Sequence, residues 1–191
     1  MAGKSIARAV VATRDDLVHA TQDAGVREIV VAQSVDDVPS LRLSPAQTLR
    51  GHDANVTMTF RDGSDGLQVS RDNVVSGLSL RASPQCRAIC NDTHVPTLGR
   101  VVLRDLTVVG RVHILARAQL REGHLEVHHL DIIAADAHAE SERPHGYGVS
   151  VRQGAFTVWN MQADDQSLLT ADLRGLSAGR LGRPVLGSGI S

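Results

Sequence analysis

The chain has 191 residues and a formal net charge of −1, with 20 Lys and Arg against 21 Asp and Glu. This length suits one domain, and the balanced charge gives no general attraction to nucleic acid or to an anionic membrane. Aromatic residues make up 2% of the chain, which is too few for a surface that stacks bases. Neither a nucleic-acid partner nor a membrane partner is therefore expected.

The N-terminal part of the chain predicts one helix. Residues 1–17 hold no sustained apolar run, so we expect no signal peptide, no transmembrane span and, for the chain as given, a cytoplasmic protein. A helix is predicted over 14–24, with Thr13 as its N-cap and Gly25 as a left-handed stop. Its apolar face is expected to hold Leu17, Ala20, Thr21 and Ala24.

After this helix, short apolar segments separated by Gly, Pro, Asp and Asn predict strands. One hexad recurs, with apolar residues at positions 1, 4 and 6 and a small or polar residue at position 5. Its copies begin at Val75, Leu103, Val127, Val158 and Leu173, and Leu49 is a candidate start of an earlier, degenerate copy. Position 3 is occupied by Gly77, Asp105, His129, Asn160 and Gly175.

The spacing within the hexad predicts a bent strand. Positions 4 and 6 alternate as on a strand with one buried face, whereas positions 1 and 4 are an odd distance apart. Both can be buried only if the chain bends between them, and position 3 holds residue types that tolerate left-handed backbone angles. Stacked copies of such a bend make a solenoid. Two interior stacks are predicted: Leu78, Leu106, Leu130, Met161 and Leu176, and Val75, Leu103, Val127, Val158 and Leu173.

The segment Arg71-Asp-Asn-Val-Val-Ser-Gly-Leu-Ser-Leu80 and its later copies resemble right-handed parallel β-helix proteins of the pectate-lyase-like superfamily. The resemblance implies an all-β fold, with an N-terminal segment and capping helix over 1–25 and a parallel β-helix over 26–191. It is poor in functional information, because this fold hosts lyases, hydrolases, isomerases and non-catalytic adhesins.

A leucine-rich-repeat-like solenoid is the alternative fold, since Leu-x-x-Leu-x-Leu is also the core of that repeat. Such repeats need Asn or Cys three residues after the last apolar position, and here that slot holds other residues. The intervals between hexads also contain further strand patterns, such as Val112-His-Ile-Leu115, where a horseshoe would have helix. These features favour the β-helix.

The densest group of ionisable residues lies over 124–145, which holds five of the nine histidines. Imidazole can act as an acid or a base near neutral pH. His128, Asp131 and His145 are the candidate catalytic residues. Arg111, Arg152 and Trp159 are the candidate ligand-binding residues, with the arginines as anion clamps and the indole as a sugar contact. The alternative interpretation places His129 at a corner and the remaining residues on a solvated loop.

Metal and cofactor sites are not expected. Cys86, Cys90 and His94 provide only three local ligands for zinc, and Cys90 is explained as a buried core residue on the same side of a strand as Ala88. The acidic pairs that could suggest calcium are at 15–16, 36–37 and 164–165, and they fit a helix start and turns.

No catalytic motif of the superfamily is intact. The leading hypothesis is therefore a β-helix module with a structural, assembly or glycan-binding role. The alternative is a carbohydrate-active enzyme, either a polysaccharide lyase or a glycoside hydrolase, that acts at the 124–152 face. The segment 184–191 reads as a strand cut in mid-coil. This pattern predicts a β-helix that is open at its C-terminal end and is completed by a homo-oligomer through residues 173–190 or by a longer parent chain.

Overall fold

In a computed structural model, the chain forms a parallel β-solenoid of about five turns. The structure describes residues 7–116, 120, 122–136, 155–160, 168–178 and 185–186. The first sheet contains β1 (Arg8–Val11), β2 (Glu28–Val31), β3 (Val35–Val38), β5 (Thr48–Gly51), β6 (Thr57–Phe60), β8 (Val74–Arg81), β10 (Thr97–Val109), β12 (Glu122–Ala134) and β14 (Leu168–Ser177). The second sheet contains β4 (Leu41–Arg42), β7 (Leu67–Val69), β9 (Arg87–Asn91), β11 (Arg111–Ala116), β13 (Phe156–Asn160) and β15 (Val185–Leu186).

The predicted interior stacks are present on the first sheet. All strand pairs are parallel, and equivalent hexad positions lie beside each other on neighbouring strands. The first stack runs through Leu49, Val75, Leu103, Val127 and Leu173, so the degenerate copy at Leu49 is a true member. The second stack runs through Leu78, Leu106, Leu130 and Leu176. Burial of these apolar columns against one another is the main favourable contribution to the fold.

The hexad at Val158 is not a copy of the others, and this prediction is wrong. Val158 lies in the second sheet, where it pairs with Ile114 and Leu186. It therefore cannot stack on Val127, and Met161 lies outside the described residues. The cause is that the spacing of apolar residues predicts which side chains point inward but does not predict which sheet the strand joins.

The bends in the long strands occur at the predicted corner position. Gly77, Asp105, His129 and Gly175 have φ values of 62°, 52°, 54° and 66°. These are left-handed conformations, which Gly adopts freely and which Asp and His adopt more readily than most residues. Asn160, the fifth predicted corner, instead ends β13 in the second sheet.

The N-terminal helix α1 spans Arg14–Gln22, and Thr13 accepts a hydrogen bond from the Asp16 amide at 3.2 Å. The helix ends earlier than predicted because Asp23 is extended and its carboxylate accepts a hydrogen bond from the Gly25 amide at 2.8 Å. Gly25 is not left-handed, so the predicted stop is wrong. Ala24 is exposed and does not belong to the apolar face.

Two further features of the N-terminal end were not predicted. Strand β1 precedes the helix and pairs in parallel with β2, so the first sheet begins before α1. The buried Gln47 side chain then holds the helix to the solenoid, because its Nε2 lies 3.1 Å from the Ala20 carbonyl oxygen and 3.0 Å from that of Asp23. Leu17, Ala20 and Thr21 are the buried residues of α1.

The leucine-rich-repeat alternative is wrong. Where a horseshoe would place a helix in each repeat, the described part of this chain has the parallel strands of the second sheet. Helix α1 is the one helix within the described ranges.

Candidate functional site

On the central strands of the second sheet, outward-pointing side chains are buried instead of exposed to solvent. Ile89, Val112 and Phe156 share the inward column, so their neighbours in the chain point outward. These outward positions are nevertheless buried, as shown by Ala88, Cys90, Arg111, His113 and Thr157. The outer face of the first sheet, by contrast, carries exposed and half-buried polar side chains along β10, β12 and β14. A site open to solvent is therefore located on the first sheet.

Arg111 does not face solvent, and its predicted role as an outward anion clamp is wrong. Its side chain is only 2% exposed, and its Nη2 donates to the carbonyl oxygen of Gln85. The charge of Arg111 also helps to lower the pKa of Asp65, although burial of that carboxyl opposes the change and the hydrogen bonds from Arg87 contribute more to it. Arg111 therefore belongs to the buried structure beneath the second sheet's surface.

Three side chains of β12 form the centre of the candidate site. His124, Glu126 and His128 occupy alternate positions of one strand, so they project from the same face. Glu126 accepts hydrogen bonds from Arg100 Nε at 2.6 Å and from Arg100 Nη2 at 2.7 Å. His124 Nε2 lies 3.4 Å from one Glu126 carboxylate oxygen, and His128 Nε2 lies 3.6 Å from the other.

These contacts keep Glu126 ionised. Hydrogen bonds from Arg100 are the largest cause and lower its pKa to about 2, while partial burial opposes the change and the two histidines contribute less. A paired, planar contact of this kind between guanidinium and carboxylate is strong because both groups are charged and both bonds are well aligned. At neutral pH, Glu126 can accept hydrogen bonds but holds no proton to give.

A column of basic side chains crosses the same face. Arg104, His128 and Arg174 lie directly beside one another on β10, β12 and β14. Arg174 pairs with Asp172 at 2.8 Å. Arg104 is exposed, and its side chain makes no hydrogen bond or ion pair with any described residue. Neighbouring strands are about 4.8 Å apart, so the column presents one basic group per strand at that interval.

A shallow depression lies on the same face, beside His124 and four residues along β12 from His128. It has a volume of about 460 Å³ and is lined by Gly99, Arg100, Glu122, Gly123, His124 and Thr170. His124 Nδ1 and Thr170 Oγ1 lie 2.6 Å apart across two strands, which fixes the orientation of the ring. Gly99 has a φ of +55° where β10 bulges against β12. The depression offers guanidinium, imidazole, hydroxyl and carboxylate groups to a polar ligand.

The structure brings only part of the predicted site together. His128 belongs to the column, whereas Asp131 lies beyond the left-handed corner at His129 and pairs with Thr107 and Ser177 on the second limb of the bend. His145 and Arg152 lie outside the described residues. The backbone of Trp159 pairs with Leu115 in the second sheet, and its side chain is outside the described part.

Sequence reasoning missed Arg100, Arg104 and Arg174 as members of the site. A usable signal is present, because hexad position 2 is polar in the copies of the first sheet, where it holds Ser76, Arg104, His128 and Arg174. Position 2 follows an inward residue and precedes the corner, so it must point outward. Polar and apolar residues also alternate over 124–128, which predicts that His124, Glu126 and His128 point outward together.

The cysteines and Asp37 have structural surroundings, and the acidic pair at 164–165 lies outside the described residues. Cys90 and Ala88 are both buried, and burial raises the pKa of the half-buried Cys86 thiol. The Asp37 carboxylate accepts hydrogen bonds from Arg14 at 2.9 Å and from Arg61 at 3.1 Å. Within the described ranges, no group of three or more His, Cys, Asp or Glu side chains is placed to hold a metal ion.

Comparison of the chain with known protein families, with curated proteins and with solved structures finds no match. Among the described residues, no helix has the length and apolar character needed to span a membrane. The resemblance to the pectate-lyase-like superfamily therefore depends on the hexad and on the parallel solenoid, and the functional argument depends on the geometry of the first sheet.

Proposed function

We propose that the protein is a non-catalytic β-helix module that binds an acidic glycan on the outer face of its first sheet. The observation that supports this proposal is the column of Arg104, His128 and Arg174 across three neighbouring strands. The rigid ladder sets the spacing of these groups before a ligand arrives, so little ordering is needed on binding. Guanidinium groups are well suited to carboxylates and sulfates because they donate two parallel hydrogen bonds.

The surroundings of the column also favour an anionic ligand. Glu126, which lies beside the column on β12, is already matched by the two hydrogen bonds from Arg100. Among the described residues, no side chain pairs with Arg104, so an incoming carboxylate displaces no described carboxylate from it. The depression beside His124 adds hydroxyl and imidazole groups that can bind the hydroxyls of a sugar.

The enzymatic alternative receives less support from the same residues. A glycoside hydrolase needs a protonated carboxylic acid beside a second carboxylate. Glu126 is ionised, and Asp131 lies on the other limb of the bent strand. A screen of acidic polysaccharides for newly formed unsaturated or reducing ends tests this alternative, and release of such ends would contradict the non-catalytic proposal.

The binding proposal predicts a specific loss of affinity. Replacement of Arg104 by Gln is expected to weaken binding of polygalacturonate about tenfold, since one charge-assisted contact is removed. Isothermal titration calorimetry in low salt measures the change. The matched control is Arg81→Gln, which removes an exposed arginine at the end of β8, beyond the corner. Equal losses in the two variants, or no preference for polygalacturonate over neutral dextran, would contradict the proposal.

We also propose that copies of this chain associate through the C-terminal coils. In the interior stacks, Val127 and Leu130 on β12 are fully buried, whereas Leu173 and Leu176 on β14 are only half-buried. A second copy placed against β14 would bury this remaining apolar surface.

Association through these coils should increase with concentration. We expect multi-angle light scattering to show a mass above 20.4 kDa at micromolar concentrations. Leu176→Asp should shift the mass toward the monomer, while Ser177→Asp, on the outward side of the same strand, should not. A monomeric wild-type chain at high micromolar concentration would refute the association.

A further inference from the structure

We propose that acid switches on anion binding at the first-sheet face through protonation of His124 and His128. This inference rests on the proposed binding function and adds its regulation. The two imidazoles lie on one strand, on either side of Glu126, at 3.4 Å and 3.6 Å from its carboxylate oxygens. Their side chains are 42% and 25% exposed, so both rings are accessible to solvent.

The charges that face these imidazoles are balanced when both rings are neutral. Three arginines and three carboxylates surround them on the three central strands: Arg100 and Arg104 from β10, Glu122 and Glu126 from β12, and Asp172 and Arg174 from β14. With no net charge, the face attracts a polyanion only through local contacts.

Protonation of both rings changes this balance. Each imidazolium adds one positive charge, and Glu126 cannot cancel both because its single negative charge already faces the Arg100 guanidinium. His128 stands between Arg104 and Arg174 in the basic column, so its proton completes an unbroken row of three cations. Histidine is the ordinary side chain that changes charge between about pH 5 and 8. Protonation of both rings therefore leaves the face with a net positive charge.

The test uses dextran sulfate, because its sulfate groups stay ionised across this pH range and any pH dependence then arises from the protein. We expect the wild-type chain to bind it about tenfold more tightly at about pH 5.5 than at about pH 7.5, as two added charges close to the ligand imply. Calorimetric titration at fixed ionic strength measures both affinities, and neutral dextran serves as the uncharged reference.

The decisive variant is the double substitution His124→Gln with His128→Gln. Its affinity for dextran sulfate should be the same at about pH 5.5 and at about pH 7.5, because neither substituted side chain changes charge over that range. The matched control is His129→Asn, which removes the exposed corner histidine of the same strand with a residue that tolerates its left-handed φ of 54°. Thermal unfolding of each variant shows whether the fold is retained.

The outcomes separate the switch from the proposed function. Retention of the wild-type pH dependence by the double variant, while Arg104→Gln weakens binding at both pH values, would overturn the switch and leave the binding function in place. Absence of any binding of dextran sulfate by the wild-type chain at both pH values would overturn both. The switch is supported if the affinity of the double variant for dextran sulfate does not depend on pH while His129→Asn keeps the wild-type pH dependence.

Discussion

Replacement of Asn73 by alanine is expected to lower the free energy of unfolding by about 3–5 kcal/mol, because several buried polar groups lose their partner together. Asn73 is fully buried, and its Oδ1 accepts a hydrogen bond from the Ser70 amide at 2.6 Å. Its Nδ2 donates to the carbonyl oxygens of Ser44 at 2.9 Å and Gln47 at 3.1 Å. One side chain thus joins two successive turns of the solenoid.

Urea denaturation followed by circular dichroism measures this effect. Asn55→Ala is the matched control, since Asn55 is exposed and its truncation should change the stability by no more than about 0.5 kcal/mol. Asn73→Asp keeps the accepting oxygen but replaces the donating NH₂ group by a second oxygen, so the variant should be well below the wild-type chain in stability. If Asn73→Ala were as stable as Asn55→Ala, the role assigned to the buried amide would be incorrect.

Replacement of Leu103 by alanine is expected to cost about 2–5 kcal/mol, as is typical of large-to-small changes in a well-packed interior. Leu103 is completely buried and stands between Val75 and Val127 in the first interior stack. The cavity would interrupt contacts to the coil on each side. Because coils stabilise only their neighbours, we also expect the urea transition to broaden as the two halves of the solenoid become less strongly coupled.

The control for this prediction is Thr107→Ala, which truncates an outward side chain on the same strand, β10. Its expected cost is below about 1 kcal/mol, because a half-exposed threonine leaves little cavity. Denaturation curves of the two variants that coincide would show that the stack around Leu103 is not the stabilising interior described above.

The parts of the fold that were predictable from the sequence are those determined within a single repeat. An odd spacing between two buried positions requires a bend, and residues such as Gly77 and Asp105 at the bend confirm it. The error at Val158 arose because its local pattern matches the hexad while its strand lies in the second sheet. Strand β1 was missed because a four-residue strand acquires its stability from β2, which lies beyond α1 in the chain.

The candidate site depended more strongly on long-range register. His128 was predicted from the density of histidines, but Arg104 and Arg174 lie 24 and 46 residues away along the chain. Only the alignment of β10, β12 and β14 shows that these three side chains are neighbours. Arg111 illustrates the opposite error, since an outward position in a strand was taken to be exposed and is in fact buried.

The one-to-one register of the long strands has a consequence for how such a surface can change. Each additional coil would add one residue to every outward column and would leave the residues already in that column unchanged. A ligand with a regular repeat would then gain contacts in proportion to the number of coils, and several weak contacts would combine into strong attachment. Duplication of a coil would therefore lengthen the column of Arg104, His128 and Arg174 without substitution of any residue already in it.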